Sequence, residues 1–115
     1  MKQIDKVYVS VTNRMRSELP ELGFVSFRED LEGPFDSKVL EFRHDLQAIR
    51  FIFDGRESWF LLEYCANLGA KPYTKWKDIR IERLDFREPN EEESDVLVSV
   101  FCKSIINFAN EYRAA

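Results

Sequence analysis

Residues 37–66, SKVLEFRHDLQAIRFIFDGRESWFLLEYCA, decide the fold. Three apolar, aromatic-rich runs follow one another with two or three polar residues between them, the pattern of a small antiparallel sheet. The pleat sorts their side chains. In the run 38–44, Leu40 and Phe42 point one way and Glu41 and Arg43 the other. In 47–54, Ile49, Phe51 and Phe53 oppose Arg50, Ile52 and Asp54; in 57–66, Phe60, Leu62 and Tyr64 oppose Trp59, Leu61 and Glu63. One face is therefore continuously apolar and has to be covered, while the other mixes charge with Trp59, Ile52 and Leu61. Asp54-Gly55 predicts a tight hairpin over 54–57, with Gly55 supplying the positive φ that a primed turn needs.

Outward from this meander the signals change period. Upstream, FVSFRE at 24–29 reads as a first strand, and Gly33-Pro34 marks a longer hairpin loop after it. Ile4, Val7, Tyr8, Val11, Met15, Leu19 and Leu22 recur at steps of three and four, which predicts a helix over 4–22. Val7, Val9 and Val11 also alternate like a strand, but the helical register runs over more residues. Pro20 predicts a break or a fresh helical turn near Ser17, because it lacks an N–H and clashes with the preceding turn. Gly23 stands where a left-handed cap is wanted, with Phe24 placed to fold back on the last turn. Downstream, 67–76 reads as a loop, and Ile79 and Ile81 give a weak alternation that predicts an edge strand over 78–84, against competing helical steps. After Pro89, Asn90 with Glu93 fits a capping box, and Leu97, Val100, Phe101, Ile105, Phe108 and Tyr112 mark a helix over 91–112. The expected fold is α+β: one domain, 1–115, with a four- or five-stranded, mainly antiparallel meander and the N- and C-terminal helices packed on one face.

Composition agrees with this and narrows function. The 115 residues are 44% apolar, 33% charged and 14% aromatic, with ten Phe, as befits one folded domain with a bulky core. No run approaches the roughly 20 apolar residues of a membrane span, and the N-terminus shows no signal-peptide pattern. Cys65 and Cys102 lie far apart, each in an apolar run, and read as buried reduced thiols. These features predict a cytoplasmic protein. With 21 acidic and 17 basic residues the net charge is −4, which disfavours nucleic acid and anionic membranes as partners and favours a basic one.

Constellations for catalysis are missing. The one histidine, His44, has no ligand-spaced companions, no G-x-S-x-G or activated thiol is present, and four isolated glycines build no phosphate loop. No metal, cofactor or enzymatic activity is expected. The densest charge is Glu91, Glu92, Glu93 and Asp95, which reads both as a well-capped helix start and as an acidic docking patch. Trp59, on the mixed face near Arg50, Arg43 and Glu63, is the second candidate, since Trp and Arg dominate binding hot spots.

A helix ending in ELGF, a meander with FDSKVLEF and AIRFIFDGRESWFLL, and a capped C-terminal helix together resemble the small immunity proteins of bacterial toxin–immunity systems, including those paired with contact-dependent growth inhibition toxins. The likeness spans residues 17–66 and the last helix and is one of layout, so it carries over no site residue. It implies a non-enzymatic protein that neutralises a cognate toxin domain, often a basic nuclease, by occluding its active site. Glu91, Glu92, Glu93 and Asp95 would supply the charge complement, with Trp59, Arg50 and Glu63 as a second surface. Alternatives are a small-molecule or regulatory ligand-binding domain and a self-associating adaptor; the oligomeric state is left open.

Overall fold

A computed structural model describes residues 1–71 and 74–115. The chain opens with helix α1 (Gln3–Glu18), followed by strand β1 (Val25–Asp30). Strands β2 (Lys38–His44), β3 (Gln47–Asp54), β4 (Trp59–Cys65) and β5 (Lys77–Arg83) come next, and helix α2 (Glu91–Ala114) closes it. The five strands lie in sequence order, every neighbouring pair antiparallel. The fold is α+β, and the fifth strand expected over 78–84 is present as β5. Of the loop expected over 67–76, Pro72 and Tyr73 lie outside the described residues.

Both helices cover the same face of the sheet. Leu40, Phe42, Ile49, Phe51, Phe53, Phe60 and Leu62 point into the core, as the pleat predicts, and meet Val7, Tyr8, Val11 and Met15 of α1 and Leu97, Phe101 and Ile105 of α2. Burial of that four-residue stripe is what makes a helix of a segment rich in β-branched residues, since packing overrides propensity. The helices run in the same direction: the Gln3 N–H donates to Glu88 just before α2 (2.8 Å), and Arg113 near the far end of α2 reaches Glu21 just past α1 (3.5 Å).

Local rules explain the ends. After α1 a single tight turn, Pro20–Leu22, leads to Gly23 at φ 94°, and the Phe24 N–H returns to the Leu19 carbonyl (3.2 Å). Phe24 then packs edge-on against Phe108 and Tyr112. At α2 the Asn90 side chain accepts from the Glu93 N–H (2.8 Å) and Glu93 accepts from the Asn90 N–H (3.0 Å), the reciprocal capping box.

Two expectations need correction. The β3–β4 connection is a longer loop than a primed two-residue turn: Asp54 Oδ1 accepts from the N–H groups of Arg56 (3.0 Å) and Glu57 (3.2 Å), and the positive φ falls on Ser58. Gly55 is required for a different reason. A Cβ there would lie 1.7 Å from the carbonyl oxygen of Phe35, which crosses over it. Gly55→Ala is accordingly expected to lower stability by about 1–3 kcal/mol by forcing two backbone segments apart, read as a lower urea midpoint. The second correction concerns Cys102, which is half-buried rather than buried; both thiols are free.

Candidate binding surface

Among the described residues no helix covers the second face of the sheet, and strand register orders its side chains into rows. Cross-strand pairing lines up Arg28, Glu41, Arg50, Glu63 and Asp78, one from each strand. The first four alternate in charge. Glu41, only 2% exposed, accepts from Arg43 at 2.7 Å and faces Arg28 at 3.5 Å; Arg50 donates to Glu63 at 2.9 Å. A carboxylate this buried is tolerable because two guanidiniums satisfy it. The adjoining row is Val39, Ile52, Leu61 and Ile81, an apolar strip along the same face.

Aromatic rings fix the arginines from the other side. Arg43 lies over the ring of Phe27 (3.5 Å), Arg50 over Trp76 (3.7 Å) and Arg83 over Trp59 (4.5 Å). The indole N–H of Trp59 is itself buried without a hydrogen-bond partner among the described residues. An arginine held between a carboxylate and a ring has few rotamers left to lose, so this face is organised before anything docks on it.

The structure brings Arg50 and Glu63 into direct contact and places Trp59 on the same face. It keeps them apart from Glu91, Glu92 and Asp95, which are exposed at the start of α2, in the helical layer. Glu93 is not available as docking charge. Besides closing the capping box, its carboxylate makes a two-point ion pair with Arg87. Those hydrogen bonds, and then the Asn90 N–H, hold its carboxyl at about 2. A lowered folded-state value means stability that is fully present above the ordinary carboxyl value near 4.5 and is lost as pH falls toward about 2. Wild type and Glu93→Gln are thus expected to differ in melting temperature at neutral pH and to converge across that acid window. A gap that stays constant down to the lowest pH would contradict the assignment.

Arg28 and Phe27 are the members of the surface that the one-strand reading did not single out, while Glu41 and Arg43 were placed on the mixed face by alternation alone. Only the register sets Arg28 opposite Glu41 and Glu41 opposite Arg50 in one row. Tyr8, on the helical side, donates to Glu29 (2.8 Å), which also pairs with Arg16 (2.8 Å); burial, then that hydrogen bond, raises its hydroxyl well above the usual phenol range.

Among the described residues no helix is long and apolar enough to cross a membrane, and no group of three or more His, Cys, Asp or Glu stands ready to hold a metal ion. No protein-family model, curated protein or solved structure matches the chain.

Proposed function

We propose that this chain is a non-enzymatic protein-binding module of the toxin-neutralising immunity kind, and that the sheet face opposite the helices is its principal contact surface. One observation carries the reading: a preorganised ladder of Arg–carboxylate and Arg–aromatic contacts beside an apolar strip, on a face that no helix covers. Trp and Arg anchors beside apolar ground are the composition of protein-interface centres. The partner would be a basic toxin domain, for which the net charge of −4 supplies a complementary field that speeds encounter. Neutralisation would come from occlusion of the toxin's cleft, and no chemistry by this chain is needed for it.

The test is co-expression with the C-terminal domain of the protein encoded immediately upstream, scoring growth and co-purification. Rescue of growth with a stable one-to-one complex supports the reading. A toxic neighbour that is neither rescued nor bound would overturn it.

Self-association is the second reading, and edge strand β1 is the observation favouring it: all six of its residues are exposed, Val25 and Phe27 included. Such an edge offers unpaired backbone groups to another strand. A mass that rises with concentration in light scattering would favour this reading; a constant monomer mass would remove it.

A further inference from the structure

On the sheet face opposite the helices the carboxylates lie inside and the guanidiniums outside. In register, Glu41 stands between Arg28 of β1 and Arg50 of β3, with Arg43 two residues along its own strand; Glu63 lies opposite Arg50. The side chains of Glu41 and Glu63 are 2% and 13% exposed, against 47%, 35% and 22% for Arg28, Arg43 and Arg50. Three guanidiniums thus share two carboxylates, and the charge that meets solvent in this cluster is cationic, although the whole chain carries −4. Two exposed carboxylates border the row, Asp30 beside Val39 and Asp78 opposite Glu63. Among the described residues neither pairs with these arginines.

The way the arginines are held leaves their binding ends free. Arg43 donates to Glu41 (2.7 Å) and Arg50 to Glu63 (2.9 Å), in both cases through Nε. Arg28 also meets Glu41 through Nε (3.5 Å). Nε carries one of the five N–H bonds of a guanidinium; the other four belong to the terminal fork. Among the described residues the forks of Arg43 and Arg50 have no acceptor. One face of each is taken by a ring, Phe27 for Arg43 (3.5 Å) and Trp76 for Arg50 (3.7 Å). With Nε and a face occupied, the plane is fixed and the fork edge is left for another molecule. Parallel N–H bonds of such a fork match the two oxygens of a carboxylate. Arg43 and Arg50 are diagonal neighbours across β2 and β3, roughly 7–8 Å apart by backbone. Alternate side chains of an extended segment have about that spacing. The apolar strip of Val39, Ile52, Leu61 and Ile81 beside them favours a protein segment over a free anion.

We propose that Arg43 and Arg50 are receptors for two carboxylates of the protein partner, borne by an extended acidic segment that crosses β2 and β3. The inference rests on the reading of this face as the contact surface of a protein-binding module, and it names the groups that meet it. The exposed acids of α2 then act at a distance on a basic partner, while the contact itself is guanidinium to carboxylate.

The test uses acetyl-Glu-Ser-Glu-amide as probe in NMR titrations of the whole chain, with the Gln-Ser-Gln peptide as an uncharged control. Saturable shifts of the Arg43 and Arg50 side-chain N–H groups, with the control about tenfold weaker, support the receptor. Arg43→Lys and Arg50→Lys keep the charge and lose the fork, so each should weaken the glutamate peptide by about tenfold. Where a lysine variant does not fold, Arg43→Gln/Glu41→Gln removes both partners of the pair and should lose the peptide likewise. Equal binding of both peptides, shifts that map elsewhere, or folded variants that bind as the wild type does would overturn it. Inorganic phosphate binding more tightly than the glutamate peptide would overturn the assignment to a protein carboxylate. The co-expressed toxin domain separates the two proposals. A complex as tight with both lysine variants as with wild type sinks the receptor and leaves the immunity reading standing. Selective glutamate-peptide binding with no toxin complex supports the receptor and sinks the immunity reading.

Discussion

Phe51→Ala is expected to cost about 3–5 kcal/mol of folding stability. Phe51 is fully buried at the centre of β3, and its ring joins three elements. It stacks on Phe60 of β4 (5.5 Å), meets Phe101 of α2 edge-on (5.0 Å) and stacks on Tyr8 of α1 (6.0 Å). Truncation removes the transfer free energy of the ring and the aromatic pairings, and it leaves a cavity walled by other rings that cannot collapse into it. Against a total of about 5–15 kcal/mol for an ordinary domain, this takes a third or more. Phe27→Ala is the internal comparison: the ring is half exposed and contributes chiefly its contact with Arg43, so the loss should stay under about 1 kcal/mol. Urea unfolding of both variants reads the difference. A Phe51→Ala loss of under about 1 kcal/mol would mean the core is not built around this ring.

The same residue shows what the sequence makes legible. Alternation assigns Phe51 to the apolar face from its own strand alone, because side-chain direction in a strand needs no knowledge of the partner. Every face assignment in β2, β3 and β4 is of this kind and holds. The helices are legible for a similar reason: Asn90 with Glu93, and Pro20 with Gly23, are local signals acting within one turn. Relations between strands are not local. That Glu41 lies beside Arg28 and Arg50 depends on a register set by two turns and by a bulge near Phe27, so the charged row was invisible as a row. Glu93 illustrates the opposite case. The capping box was legible, but the Arg87 ion pair that neutralises it was not, so Glu93 stayed grouped with the exposed acids. The turns at Phe35 (φ 57°) and Phe86 (φ 60°) were least legible of all, because their residues contradict the propensities by which turns are read. Gly55 advertised the right hairpin for the wrong reason, its role being clearance for the Phe35 carbonyl.

Arg50→Ala is expected to weaken the complex with the proposed toxin partner by about thirtyfold, some 2 kcal/mol, and to do so through faster dissociation. Arg50 is the middle of the charged row, held between Glu63 (2.9 Å) and the Trp76 ring (3.7 Å) and mostly buried already in the free chain. An anchor of that kind acts after docking, and its removal leaves water and an unpaired carboxylate inside the interface. Reversing Glu91 and Glu92 to lysine should act differently. Those carboxylates are exposed and solvated, so they steer the encounter: association should slow, the salt dependence should flatten, and dissociation should change little. Association and dissociation rates measured at two salt concentrations therefore assign each surface its role. The Arg50 variant also strands Glu63, which clouds a single substitution, so Arg50→Ala is paired with Arg50→Ala/Glu63→Gln. If the double variant regains wild-type affinity, Arg50 served only to neutralise Glu63 within the fold. If it stays weak, the guanidinium itself meets the partner, and the sheet face opposite the helices is the binding surface. An affinity untouched by either variant, with the Glu91 and Glu92 reversals abolishing the complex, would move the interface to the helical layer.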